Sequence, residues 1–145
     1  MAELKEEHTF CGAVDQVFRG VSRYCDYPDF VPGVMSTQIL PAVVAGSCCQ
    51  VKYEIHLVKS FHYTLDMFET SPHQISWSLA DSNLMKTNKG SWIFSEADKQ
   101  GETRAVYQVE ASFRGLVPKK VTDKLAKASL PGLFSGLQKL IDQCS

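Results

Sequence analysis

Five stretches of this chain alternate apolar and polar residues with a period of two. Cys49, Val51, Tyr53, Ile55 and Leu57 alternate with Gln50, Lys52, Glu54 and His56. Phe61, Tyr63, Leu65 and Met67 alternate with His62, Thr64 and Asp66, and Ile75, Trp77 and Leu79 alternate with Gln74, Ser76 and Ser78. Trp92 and Phe94 flank Ile93, and Tyr107, Val109, Ala111 and Phe113 alternate with Gln108, Glu110 and Ser112. Successive side chains of an extended strand point to opposite faces, so this pattern predicts strands with one dry face and one wet face. That is the signature of antiparallel sheet, because parallel strands are buried on both sides.

The connections agree. "TSPH" and "ADKQGE" are short and rich in turn residues, and "VVAGSC" is a similar turn between the second and third strands, so the strands form a meander of hairpins. A further strand is expected at residues 5–11. Val14, Val17, Phe18 and Val21 fall at the spacing of one helix face. The C-terminal part returns to helical period, with Val121, Leu125 and Ala128 on one stripe and Leu133, Phe134, Leu137, Leu140 and Ile141 on another. Pro118 suits a first helical turn, and Pro131 is expected to kink or briefly interrupt the helix. Some 26 helical residues reach about 39 Å, whereas a nine-residue strand spans about 30 Å. One helix can therefore lie across the whole dry face, which needs such a cover. The small residues Ala128, Gly132 and Gly136 recur every fourth position along it and either let the helix sit close on the sheet, the commoner use of small residues, or leave space for a ligand.

The order is thus strand, helix, a short helical or looped segment, six strands and a long helix. With 145 residues and 44% hydrophobic content, the chain is expected to be a single domain, 1–145, with one core. A net charge of −1 gives no general attraction to nucleic acid or membrane. No apolar run approaches the ~18 residues of a membrane span. The polar, acidic start "MAELKEEHTF" does not look like a secretory signal. Five irregularly spaced cysteines read as reduced thiols of a cytoplasmic protein.

The segment "YPDFVPGV" (27–34) sits after the first helix and is apolar where a loop should be polar. It resembles the aromatic–Pro–x–aromatic–x–Pro signature of the helix-grip (START/SRPBCC) superfamily. "KGSWIF" and "GETRAVYQVEASF" resemble that superfamily's late hairpin, and "LVPKKVTDKL…LPGLFSGLQKLI" its gripping helix. The likeness covers nearly the whole chain and is greatest to the polyketide cyclase/coenzyme Q-binding/oligoketide cyclase–lipid transport group. It departs from coenzyme Q-binding members at Gly33 and Val34, where those usually have a bulky aromatic followed by cysteine, so quinone does not follow as the ligand.

The resemblance implies an α+β helix-grip fold: a curved seven-stranded antiparallel sheet wrapped around a long C-terminal helix, with two short helices between the first and second strands. It also implies a cavity between sheet and helix, with Tyr27, Phe30, Val31 and Val34 at its portal. From spacing alone the same four residues could equally plug the end of the core. Apolar walls with a few tyrosine and tryptophan handles suit a lipid, quinone or polyketide-like molecule. The candidate ligand-binding set is Tyr27, Phe30, Val34, Tyr53, Tyr63, Leu65, Trp77, Trp92, Tyr107, Val109, Phe134 and Leu137. No catalytic residue, metal ligand or cofactor is expected. Glu69 and Glu96 share the inward parity but fall near strand ends, as do His8 and His73, while His56 and His62 have the parity of the wet face.

The expected function is to bind and carry or shield an apolar small molecule. The alternatives are a polyketide cyclase or dehydratase, working by shaping a reactive chain with tyrosine hydroxyls as weak donors, and a ribosome-associated interaction protein. Residues 114–127 hold five cations against one carboxylate. Lys120, Lys124 and Lys127 share one helix face, ordinarily a solvated one, and could make transient contact with an anionic membrane surface or, ranked below it, with ribosome or RNA.

Overall fold

The computed structural model describes residues 2–56, 60–115 and 119–144, leaving aside the side chains of residue 2 and of residues 119–126. Strand β1 (Ala2–Cys11) leads into helix α1 (Val14–Val21), a 3-10 turn (Tyr24–Asp26) and one turn of helix, α2 (Tyr27–Phe30). Six strands follow: β2 (Val34–Leu40), β3 (Cys49–His56), β4 (Ser60–Thr70), β5 (Gln74–Ser82), β6 (Met85–Glu96) and β7 (Glu102–Phe113). Helix α3 (Lys119–Asp142) closes the chain. The strands form one antiparallel sheet in the order β1-β7-β6-β5-β4-β3-β2. The meander β2 to β7 is thus sequential, and β1 crosses to the far edge beside β7.

The alternation in the sequence is the pleat of these strands. Val51, Tyr53 and Ile55 are buried while Glu54 and His56 are exposed, and Trp92 and Phe94 are buried while Ile93 is exposed. The dry face meets α1 and α3 in one core that includes Phe10, Val17, Val21, Ile75, Phe94, Leu137, Leu140 and Ile141. Burying each such side chain contributes about 1.5–3 kcal/mol before entropy is counted. Helix α1 reaches α3 through Gly20: a Cβ there would lie 2.6 Å from Ile141. At the β1 edge the backbone N–H of Cys11 donates to Gln138 Oε1 at 2.9 Å, and Gln138 Nε2 donates back to the Cys11 carbonyl at 2.9 Å. The α3 side chain therefore satisfies backbone groups that an edge strand would otherwise leave open.

Three expectations need correction. Strand β6 begins at Met85, five residues before the expected "GSWIF", and β1 begins at Ala2. His8 is consequently inside a strand, not near its end, and it lies on the inward face stacked on Phe134 at 4.5 Å. Pro131 does not interrupt α3. A proline removes one helical N–H and crowds the carbonyl four residues earlier. Here that carbonyl belongs to Lys127, and both Lys127 and Pro131 are exposed, so water can replace the lost hydrogen bond.

Bulges shape the sheet around its contents. Register shifts occur between Val34 and Ser36, between Thr64 and Leu65 where β4 pairs with β5, and between Met85 and Thr87. Each adds local twist and resets which residues face inward. The consequence is strong curvature. Phe61 on β4 and Phe113 on β7 are three strands apart in the sheet, yet their ring centroids are 6.0 Å apart.

Candidate apolar cavity

The curved dry face, the segment after α2 and helix α3 enclose a cavity of about 260 Å³. Nine of the twelve candidate residues line it: Tyr27, Val34, Tyr53, Tyr63, Leu65, Trp77, Trp92, Tyr107 and Val109. Ile55, Met67, Ile75 and Phe113, all expected on the dry face, continue the wall. Phe30, Phe134 and Leu137 are not in the lining. Phe30 presents its backbone to α3 instead, Phe134 packs with His8, Phe10, Trp92 and Tyr107, and Leu137 is fully buried in the core. These three positions carry the right helical or turn spacing, but spacing cannot separate a residue in the packed half of a core from one beside its void.

Sequence reasoning also passed over lining residues, including Val21, Tyr24, Met85, Asn88, Ser129 and Leu133. Asn88 has the same parity as Gly90 and Trp92, so carrying the alternation two residues further back finds it. Met85 is displaced by the bulge before Thr87, and no period-two rule reaches past such a bulge.

The segment 27–34 is held by its own backbone. The Tyr27 hydroxyl donates to the Val21 carbonyl, and the Val31 N–H donates to the Tyr27 carbonyl at 2.8 Å. A Cβ on Gly136 would lie 2.2 Å from the Phe30 carbonyl oxygen, and one on Gly132 would lie 3.0 Å from the Pro32 ring. Gly132 and Gly136 on α3 are therefore the seat on which this segment rests, so the close approach expected with the sheet is made instead with residues 30–32. Val31, Pro32, Gly33 and Val34 then face the cavity, so the apolar surface of 27–34 is a wall of the void.

The polar groups of the cavity are few. Trp77 Nε1 donates to Asn88 Oδ1 at 3.0 Å, and Asn88 Nδ2 points at Met85 Sδ at 3.8 Å. Trp77 lies over Gly90, where a Cβ would meet its ring at 2.4 Å. Tyr24 donates to the Glu69 carboxylate at 2.7 Å. Tyr53 and Tyr63 are cross-strand partners whose rings stack at 5.0 Å, and Tyr107 packs against its own partner Trp92 at 4.6 Å. Tyr63 and Tyr107 keep some accessible surface because they border the void, although both lie deep within the protein. Burial disfavours the phenolate: it pushes Tyr107 up to about 12 and Tyr24, Tyr27, Tyr53 and Tyr63 further still. All five phenols are therefore neutral at ordinary pH.

No described lining residue is ionised at neutral pH. Among the described residues no group of three His, Cys, Asp or Glu side chains is arranged to hold a metal ion. The adjacent thiols of Cys48 and Cys49 are 3.6 Å apart, and burial, the Cys49 thiol and Glu69 push Cys48 up to about 12, which makes it a poor nucleophile at neutral pH. Lys127 is exposed, while the side chains of Lys120 and Lys124 lie outside the described residues. Among the described residues no helix is long and apolar enough to cross a membrane.

A family described as "polyketide cyclase / dehydrase and lipid transport" matches residues 1–143. The chain belongs to this family. Solved structures agree on the polyketide cyclase-type, START-like fold. A START superfamily protein from Mycobacterium smegmatis superimposes with a TM-score of 0.86 at 16% identity, over 100% of both chains. A protein from Thermus thermophilus, TTHA0849, gives 0.83 at 14% identity over 99% of each chain. The Zhui aromatase/cyclase from Streptomyces sp. R1128 gives 0.75 at 12% identity, covering 98% of this chain and 92% of that one. No curated protein matches in sequence. At these identities the structural likenesses establish the fold of this polyketide cyclase-family chain and leave its ligand to the cavity's own chemistry.

Proposed function

We propose that this protein binds an apolar small molecule in the cavity between sheet and α3, and carries or shields it. The observation that carries the reading is a void of about 260 Å³ whose described lining is mostly aromatic and aliphatic, with Asn88 and Ser129 as neutral polar side chains and no ionised one. Apolar burial supplies the affinity at about 25 cal/mol per Å², less the cost of association and ordering. Entry would be gated by movement of the segment 27–34, which rests on α3 at Gly132 and Gly136, or of α3 at Pro131. Transient contact with an anionic membrane surface through Lys120, Lys124 and Lys127 belongs to the same reading.

A second reading is cyclase or dehydratase activity. It is favoured by the phenols of Tyr53, Tyr63 and Tyr107 on the cavity wall, which could orient a folded, reactive chain and donate protons weakly. Organic extraction of natively purified protein, followed by mass spectrometry against an empty purification, separates the two. A stoichiometric lipid, quinone or polyketide supports carriage. Protein that emerges empty, and converts an added polyketone to a cyclised product, would replace carriage with catalysis.

A further inference from the structure

The cavity's hydrogen-bonding groups are unbalanced. Of its five tyrosines, Tyr24 and Tyr27 spend their hydroxyl protons on Glu69 and on the Val21 carbonyl. The hydroxyls of Tyr53, Tyr63 and Tyr107 bond to no other described residue, although all three residues line the void. The oxygen of the Asn88 amide is taken by Trp77, while its nitrogen meets only the Met85 sulfur, a weak acceptor. Four groups thus offer unspent protons in apolar surroundings, and the polar oxygens beside them are engaged or are phenolic. These three phenols border the void, and tyrosine hydroxyls in apolar surroundings usually find a partner.

The positions of these donors matter as much as their number. Tyr53 and Tyr63 stand on β3 and β4, and Tyr107 stands on β7. β5 and β6 lie between the two groups, and the curl of the sheet turns both toward one space. We propose that the cavity takes an uncharged molecule bearing hydrogen-bond-accepting oxygens on two sides of an apolar skeleton, one received by Tyr53 and Tyr63, the other by Tyr107. This rests on the binding function proposed above and names its ligand class. An anion would enter without a cation to meet it and a cation without a carboxylate among the described lining, so either charge would be buried unpaired. At about 260 Å³ the void falls just below the ~300–1,000 Å³ usual for drug-sized ligands, which favours a molecule of two or three fused rings over a full phospholipid.

The test is titration calorimetry of the full chain with three probes of nearly equal shape. Xanthone carries a carbonyl and a ring oxygen on opposite edges, xanthene lacks the carbonyl, and xanthone-4-carboxylate adds a charge. Xanthone is expected to bind about tenfold more tightly than xanthene, equivalent to about 1.4 kcal/mol, and the carboxylate more weakly than xanthone. Of the two variants, Tyr107→Phe and Tyr53→Phe with Tyr63→Phe, the one that removes the donor to the carbonyl is expected to erase that preference, and the other, which removes the donor to the ring oxygen, to weaken xanthone and xanthene alike. Equal binding of xanthone and xanthene, or a carboxylate that binds as tightly as xanthone, overturns the ligand class and leaves carriage standing. If none of the three binds, both the ligand class and the carrier function fall.

Discussion

Replacing Gly136 by alanine tests how the wall of the cavity is held. In an exposed helix the change would stabilise by about 1 kcal/mol, because alanine is the better helix former. Here the new Cβ would sit 2.2 Å from the Phe30 carbonyl oxygen, 2.9 Å from its carbon and 3.4 Å from the Val31 Cα. Those are backbone atoms, so no rotamer change relieves the clash, and the 27–34 segment must lift from α3 by roughly 1 Å to reach ordinary contact distance. Overpacking of this kind costs about 1–3 kcal/mol, and a clash against backbone belongs at the upper end. The net loss is about 2 kcal/mol. For a chain of this length that lowers Tm by roughly 4–8 °C. Gly132→Ala is the internal control on the same face. Its Cβ would meet only the edge of the Pro32 ring, at 3.0 Å, which a small shift relieves, so the helix-propensity gain of about 1 kcal/mol roughly cancels the contact. Differential scanning calorimetry of both variants reads the contrast. A Gly136→Ala protein that melts at or above the parent temperature would show that the Phe30 carbonyl does not rest on α3, and the proposed seat for the cavity wall would be lost.

Two further outcomes follow from the cavity. In a spectrophotometric titration the native protein should show no phenolate near pH 10, because all five tyrosines are held protonated by burial. Their folded pKa values lie above the unfolded one, so their stabilisation is complete below about pH 10 and is lost as pH rises through the folded values. Each phenol then removes about 1.4 kcal/mol per pH unit above pH 10, and a normal titration of even one tyrosine in the folded protein refutes its burial. Val109→Phe adds bulk to a residue that borders the void. It should shift Tm by less than about 3 °C, where a filled core would lose about 1–3 kcal/mol, and it should reduce ligand capacity.

Much of the architecture was legible in advance because it depends on local rules. Period-two alternation reports the pleat directly, so the inward faces of β3, β4, β5 and β7 could be named residue by residue. The α1 and α3 stripes likewise report a 3.6-residue period. Bulges set the limit of that reading. The shift before Thr87 turns Met85 inward, and no alternation rule anticipates where a strand takes up an extra residue. Pro131 shows a second limit: whether a proline breaks a helix depends on whether water can reach the freed carbonyl, and that is a matter of burial.

The sequence alone determined which side chains share the dry face, that α3 is long enough to cover them, and that the segment 27–34 is too apolar to be an ordinary loop. Only the tertiary structure decided which of those side chains border empty space. Phe134 and Leu137 have the same pattern of hydrophobic spacing as Leu133, yet Leu133 lines the cavity while Leu137 is fully packed. Hydrophobic periodicity records which way a side chain points. A void is the volume left after all elements have docked, and it depends here on the curl that brings Phe61 to Phe113 and on the depth to which Gly136 lets the Phe30 carbonyl approach the helix.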